Sequence, residues 1–389
     1  MRTFSYLWRA LGASALLPAL ALAQAQPTNG SPFARDSVLA RIRELRAIGT
    51  PEGIDTLFAV NTGPGGKQWI SVRGLNRSNP VLVVMHGGPG TPLLPSAWAF
   101  QKPWEDFFTV VEWDQRGAGR NFVGLDTTNT PVTWPMADLV GDARAIVDTV
   151  RALLGKPKVF VLGNSWGTAI GSAFVAAHPD RVHAFVGVGQ VGLGDAETTL
   201  YNQMLAIARA RGNDTAVREL EALAPYPHRD GDTPLAKMFA VRRWSARLGG
   251  AFISATDIGM LYRSWDLSPD YRPEDHAARP AAARYSGSHV MGPGGARVGK
   301  DNPRRPPTRF AVPVFVLQGR LDLYTSWISA KQWFEAVQAP RKQFITFERS
   351  AHFPFIDEPG RFLLTLVNEV RPIAAREERP FAPMPGTPR

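Results

Sequence analysis

Val159 to Gly171 reads Val-Phe-Val-Leu-Gly-Asn-Ser-Trp-Gly-Thr-Ala-Ile-Gly. A run of β-formers ends at Gly163, the pentapeptide Gly163-Asn164-Ser165-Trp166-Gly167 follows, and a small-residue helical pattern continues to about Ala177. This is a Gly-x-Ser-x-Gly elbow in its expected setting of strand, sharp turn and helix. The glycines allow the tight turn, and Ser165 sits at its apex with Oγ presented at a helix N-terminus. The motif also occurs by chance, so its meaning depends on the rest of the chain.

Outward from the elbow, Val81-Leu82-Val83-Val84-Met85 is a continuous apolar run, as expected of a strand buried on both faces of a parallel sheet. Phe107 to Glu112, Val182 to Val188, Val312 to Leu317 and Phe344 to Phe347 read the same way, and Met136 to Leu154 repeats apolar residues on one helix face. Thr56 to Thr62 and Lys67 to Arg73 flank Gly63-Pro64-Gly65-Gly66 as a hairpin, preceded by a short amphipathic helix from Ser37 to Ala47. Alternating strands and helices predict a doubly wound, mostly parallel α/β sheet with its ligand site at the carboxyl ends of the strands.

The alternation stops near Gln190 and resumes near Arg309, so residues 191–309 are expected to form an inserted, mainly helical cap between core segments 56–190 and 310–371. Leu200 to Leu223 carries a helical pattern, and the remainder is rich in Trp, Arg, Pro and Gly. Residues 24–55 hold a linker, from Gln26 to Pro32, and the short helix. Residues 372–389, with five prolines, are expected to be a poorly ordered tail.

At the N-terminus, Arg2 and Arg9 precede an apolar run from Ala10 to Ala23 that is broken by Gly12, Ser14 and Pro18. This pattern predicts a secretory signal peptide over residues 1–23, hence export to the periplasm or medium, with cleavage after Ala23 or Ala25. The run is too short to span a membrane, and no later stretch is long and apolar enough. With no cysteine in 389 residues, disulfides, thiol nucleophiles and thiolate metal sites are excluded. The formal charge of +10 becomes +8 once Arg2 and Arg9 leave, and the arginines are scattered without a dense basic run. That fits a basic exported enzyme better than a nucleic-acid binder.

A serine nucleophile needs a base, and seven histidines are available. His352, just past the last expected strand, falls on a loop at the carboxyl edge of the sheet, where it reaches the elbow. Asp322, directly after the Val312 to Leu317 strand, is placed to orient it; Asp195, after the sixth strand, is the fallback acid. An oxyanion hole is expected from the backbone around Gly87 and Gly88, in His86-Gly87-Gly88-Pro89-Gly90, with the Trp166 amide as second donor. His86 itself reads as a structural hydrogen-bonder. Gly294-Gly295-Ala296-Arg297-Val298-Gly299-Lys300 imitates a phosphate-binding loop, but Asp301 replaces the Ser/Thr and no strand precedes it. No metal or dinucleotide motif is present, so no cofactor and no metal site are expected.

On His86 to Gly90, Trp113-Asp114-Gln115-Arg116-Gly117-Ala118-Gly119 and Gly163 to Gly167, the chain resembles the α/β-hydrolase superfamily, and within it the proline iminopeptidase (prolyl aminopeptidase) branch of serine peptidases. The likeness runs over roughly Leu57 to Gln190 and Arg309 to Val370 and fades in the cap. Ser165, Asp322 and His352 follow the superfamily order of nucleophile, acid and base. The resemblance implies removal of N-terminal residues from small peptides, with cap carboxylates, commonly including a Trp-Glu pair, holding the free amine. Here Arg242-Arg243-Trp244-Ser245-Ala246-Arg247 lacks that glutamate, and Trp265-Asp266 is the one Trp-acid pair of the segment. Amine-binding candidates are therefore Glu197, Glu219 and Asp266 with Trp265. The cap arginines favour an anionic substrate instead, and an esterase, lactonase or amide hydrolase on the same scaffold is the alternative, ahead of a non-catalytic binding protein.

Overall fold

The structure, a computed structural model, describes residues 34–128, 133–193, 195–228, 233–255, 258–292 and 305–377. The expected signal peptide, the linker from Gln26 to Pro32, the stretch from Gly294 to Lys300 and the last twelve residues of the tail lie outside the described residues. Helix α1 (Arg35–Arg46) leads to the hairpin of β1 (Ile54–Asn61) and β2 (Lys67–Gly74), followed by β3 (Val81–Met85), the single turn α2 (Ala97–Phe100) and β4 (Thr109–Trp113). Then come α3 (Met136–Leu154), β5 (Val159–Asn164), α4 (Trp166–Ala177) and β6 (Val182–Val188). After helices α5 (Ala196–Ala210), α6 (Asp214–Glu221), α7 (Leu235–Arg247), α8 (Gly259–Trp265) and α9 (Pro273–Met291), the chain returns to the sheet with β7 (Val314–Gly319). It ends in α10 (Trp327–Ala336), β8 (Lys342–Phe347), α11 (Pro354–Asp357), α12 (Pro359–Thr365) and α13 (Pro372–Glu377).

The eight strands form one sheet in the order β1-β2-β4-β3-β5-β6-β7-β8, parallel from β4 to β8 and antiparallel where β2 meets β1 and β4. Every residue of β3, β5, β6 and β7 is buried, which is why these strands read as unbroken apolar runs. Successive side chains go to opposite faces. Val81, Val83 and Met85 join Ile146, Ile170 and Phe174 from α3 and α4, whereas Leu82 and Val84 join Phe315, Phe347 and Phe362 on the other side. A third apolar cluster belongs to the helices between β6 and β7, where Leu200, Met204, Leu220, Val241 and Trp244 pack together and meet the sheet domain through Leu323.

Two local expectations change. The pattern from Leu200 to Leu223 is not one helix: Gly212 adopts φ +61°, and the side chain of Asn213 accepts from the Ala216 amide at 3.0 Å, capping a new helix. The chain beyond Arg371 opens with α13, because Ile373 and Ala374 are buried against the cluster containing Phe315 and Leu366.

Candidate active site

The elbow follows from close approach. A Cβ at Gly167 would sit on the Met85 carbonyl oxygen, and one at Gly163 would strike the Gly167 backbone, so α4 can start against β3 and β5 only with glycine at both places. Ser165 between them has φ 54° and ψ −123°, the one positive φ outside glycine among the described residues. Such a conformation costs on the order of 1–3 kcal/mol and is held by its surroundings. The Ser165 amide donates to Val188 O at 2.9 Å, and the amide and hydroxyl of Thr168 donate to Ser165 O at 2.8 and 2.7 Å. These bonds pin the backbone and leave Oγ free. It makes no hydrogen bond to a described residue and faces a cavity of about 1340 Å³.

His352 lines the same cavity. Its Nδ1 donates to Asp322 Oδ2 at 2.8 Å, which leaves Nε2 as the unprotonated acceptor. Asp322 is fully buried and receives a complete set of donors. Oδ2 also accepts from Gln318 Nε2 at 2.8 Å and Thr325 Oγ1 at 2.9 Å, and Oδ1 accepts from the amides of Tyr324 and Thr325 at 2.7 and 2.9 Å. The Tyr324 ring stacks on the imidazole with centroids 5.1 Å apart, Phe353 meets its edge at 4.8 Å, and the His352 amide donates to Ala251 O at 3.0 Å. Gly189 on the facing loop supplies the space, since a Cβ there would lie 2.8 Å from His352 Cε1. The residues expected as base and acid are thus joined in one rigid network. Asp195, the fallback acid, is exposed at the start of α5 and takes no part.

Gly87 and Gly88 border the cavity beside the elbow, and a Cβ on Gly87 would come within 2.9 Å of Ser165 Cβ. The backbone can therefore pass close to a carbonyl attacked by Ser165. Gly88 has φ +112°, and Trp166 is the first residue of α4, so its N–H has no carbonyl four residues earlier within the helix. His86 points away from this chemistry. Its Nε2 accepts from the Gln115 amide at 3.1 Å and its Nδ1 donates to Gly87 O at 2.8 Å, while burial lowers its pKa to about 4. It is a neutral strut. Gln115 completes the clamp by donating to His86 O at 2.9 Å, which explains the loop from Asp114 to Arg120 without a chemical role.

Of the four expected amine-binding residues, the structure brings only Glu197 to the cavity. Glu219 is exposed and accepts from Trp244 Nε1 at 3.0 Å; Trp265 is buried away from the cavity; Asp266 lies 3.3 Å from Arg279 on the surface. Nor is Glu197 a free carboxylate. One oxygen is ion-paired to Arg242 and the other accepts from the Tyr226 hydroxyl at 2.6 Å. Burial works against the Arg242 charge, but Glu197 together with Tyr226 and Tyr324 outweighs it and raises the guanidinium pKa; burial and the same carboxylate raise that of Tyr226. Arg242, Gln318, Tyr324 and Thr325 were not singled out in the sequence. Arg242 lies 45 residues from its partner, and nothing local marks the pairing.

Among the described residues, no group of three or more His, Asp or Glu is placed to hold a metal ion, and no helix is long and apolar enough to cross a membrane.

A strained serine elbow at the carboxyl edge of a mostly parallel sheet, facing a buried Asp-His pair, is the arrangement of an α/β hydrolase. The family described as alpha/beta hydrolase fold matches residues 80–359, and the chain belongs to it. It is 26% identical over 306 residues to "Probable aminopeptidase YbaC" of Bacillus subtilis, covering 78% of this chain and 93% of that protein. It is 27% identical over 281 residues to a proline iminopeptidase of Neisseria meningitidis serogroup B, covering 68% of this chain and 83% of that one. The crystal structure of a proline iminopeptidase from Mycobacterium smegmatis superposes with a TM-score of 0.56 at 19% identity, over 83% of this chain and all of that one, which speaks for the fold.

Proposed function

We propose that this protein is a serine hydrolase working through an acyl-enzyme, with Ser165 as nucleophile, His352 as base and Asp322 as its orienting acid. The Ser165 Oγ–H proton passes to His352 Nε2 as Oγ bonds to the substrate carbonyl carbon. The oxyanion of the tetrahedral intermediate is stabilised by amides around Gly87, Gly88 and Trp166. Collapse expels the leaving amine or alkoxide, protonated by His352. Water, deprotonated by His352, then cleaves the acyl ester and regenerates Ser165. The observation that carries this reading is the Asp322–His352 hydrogen bond on the wall of the cavity that Ser165 faces.

Relatives named aminopeptidase and proline iminopeptidase support release of N-terminal residues from short peptides as the reaction. A second reading, hydrolysis of an ester, lactone or amide without a free amine, is favoured by one observation: Glu197, the carboxylate on the cavity wall, is already occupied by Arg242 and Tyr226. Turnover of a proline arylamide with a free amine, its N-acylated twin and a short p-nitrophenyl ester separates the two. Ser165→Ala and fluorophosphonate labelling test the nucleophile, and retained activity in that variant would refute it.

We also propose export, on the charged, apolar and small-residue pattern of residues 1–25. N-terminal sequencing of the protein from a periplasmic or culture fraction should begin at Gln24 or Gln26. An intact N-terminus there would count against it.

A further inference from the structure

The wall of the cavity has a marked charge imbalance. Among the described lining residues, Arg242, Arg243, Arg247, Arg284 and Arg305 stand against a single carboxylate, Glu197. Once Arg242 and Glu197 have paired, four guanidiniums remain. They come from three separate segments: Arg243 and Arg247 lie one helical turn apart on α7, Arg284 is on α9, and Arg305 lies on the approach to β7. All four are exposed, and none is ion-paired to a described residue; Arg247 lies over the Trp244 ring at 5.0 Å. The lining that these arginines share with Ser165 is largely apolar, with Leu93, Leu235, Met238, Phe239, Leu261 and Met291 among it. At about 1340 Å³ the space exceeds the roughly 300–1,000 Å³ usual for a small-ligand site, so it admits more than one residue-sized group.

We infer that the enzyme selects acyl substrates with an apolar body and a carboxylate at the end remote from the scissile bond, read by the guanidiniums of Arg243, Arg247, Arg284 and Arg305. The inference rests on the serine-hydrolase reading and names the substrate class of that site. A cleft of one sign with low-dielectric walls concentrates the opposite charge and speeds its entry, and a guanidinium fork matches a planar carboxylate. The same field opposes an ammonium group, whose natural partner, Glu197, is taken. A short peptide read by its C-terminal carboxylate and a dicarboxylate half-ester share this chemistry.

The test compares inactivation of the intact protein by three fluorophosphonates of equal length, tipped with a carboxylate, a primary amide or an ammonium group, with Ser165→Ala as control. At about 20 mM salt, where screening extends over about 20 Å, the carboxylate reagent should inactivate about tenfold faster than the amide. At about 500 mM salt, with a screening length of about 4 Å, the advantage should shrink to less than about threefold. The double variant Arg243→Gln, Arg284→Gln should bring the low-salt ratio toward one, with circular dichroism verifying the fold. A carboxylate-to-amide ratio at or below one in the wild type, or faster reaction of the ammonium reagent, overturns the inference while leaving the nucleophile standing. If no reagent labels Ser165, the hydrolase reading falls, and this inference with it.

Discussion

Glu197 and Arg242, 45 residues apart on α5 and α7, are ion-paired on the wall of the cavity that Ser165 faces, which removes from use by a substrate amine the one carboxylate among the described lining residues. Arg242→Met takes away the cation and leaves Glu197 bonded to Tyr226 alone. The variant should lose about 1–2 kcal/mol of stability, since the pair is partly shielded from water. It should also raise kcat/KM for a free-amine arylamide over its N-acylated twin by about tenfold. An unchanged ratio would mean that Glu197 does not meet the substrate's amino end.

Gly189 is the space into which the His352 imidazole fits. Gly189→Ala would put a methyl group 2.8 Å from Cε1 in a backbone held at φ +58°. The backbone strain is about 1–2 kcal/mol, whereas displacing His352, the proposed base, should cut kcat by about tenfold to a hundredfold. Steady-state kinetics beside a thermal melt distinguishes the two effects. A kcat within about twofold of wild type would show that the imidazole has room to spare.

Much of this architecture was legible in the sequence, and the reasons differ from place to place. β3 and β6 match their apolar runs because strands covered on both faces leave an unbroken apolar signal. Ser165 and its glycines were readable because the turn tolerates few other residues. The break at Gly212-Asn213 was not, since the apolar spacing of α5 and α6 continues across it. The five prolines from Pro372 onward read as a poorly ordered tail, yet proline is well suited to the first turn of a helix, and α13 begins at Pro372. The cavity charges were legible only in part. The fifteen arginines of residues 191–309 could be counted, but which of them reach the cavity, and which of those is neutralised, depends on how the helices pair.

Thr325 is expected to act through Asp322 as a positioning residue. Its hydroxyl is one of three donors to Asp322 Oδ2, beside Gln318 and His352. Thr325→Val keeps the shape and removes that donor, which should lower kcat by about three- to tenfold with KM little changed. Thr325→Ser should restore most of the loss. A larger effect on KM than on kcat, or failure of serine to rescue, would place Thr325 in substrate binding instead.

Glu112 offers a test of stability that bypasses the active site. It is buried near the carboxyl end of β4 with neither carboxylate oxygen hydrogen-bonded, and burial, then the nearby Asp114, pushes its pKa well above the ordinary carboxylate range. The folded state therefore holds a proton that the unfolded chain releases once the pH passes the usual glutamate value. The sign follows from this: stability is greatest below the unfolded pKa and is lost as the pH rises toward the folded one, at about 1.4 kcal/mol per pH unit through that window. Asp114, raised to about 7 chiefly by burial, adds a second slope of the same sign up to neutrality. Glu112→Gln carries no titrating proton, so its stability relative to wild type should rise steadily as the pH is raised above the ordinary glutamate range. Urea melts of both proteins at a series of pH values from mildly acidic to mildly alkaline would measure the difference. A constant offset would mean that Glu112 keeps its ordinary pKa and finds a donor in solution.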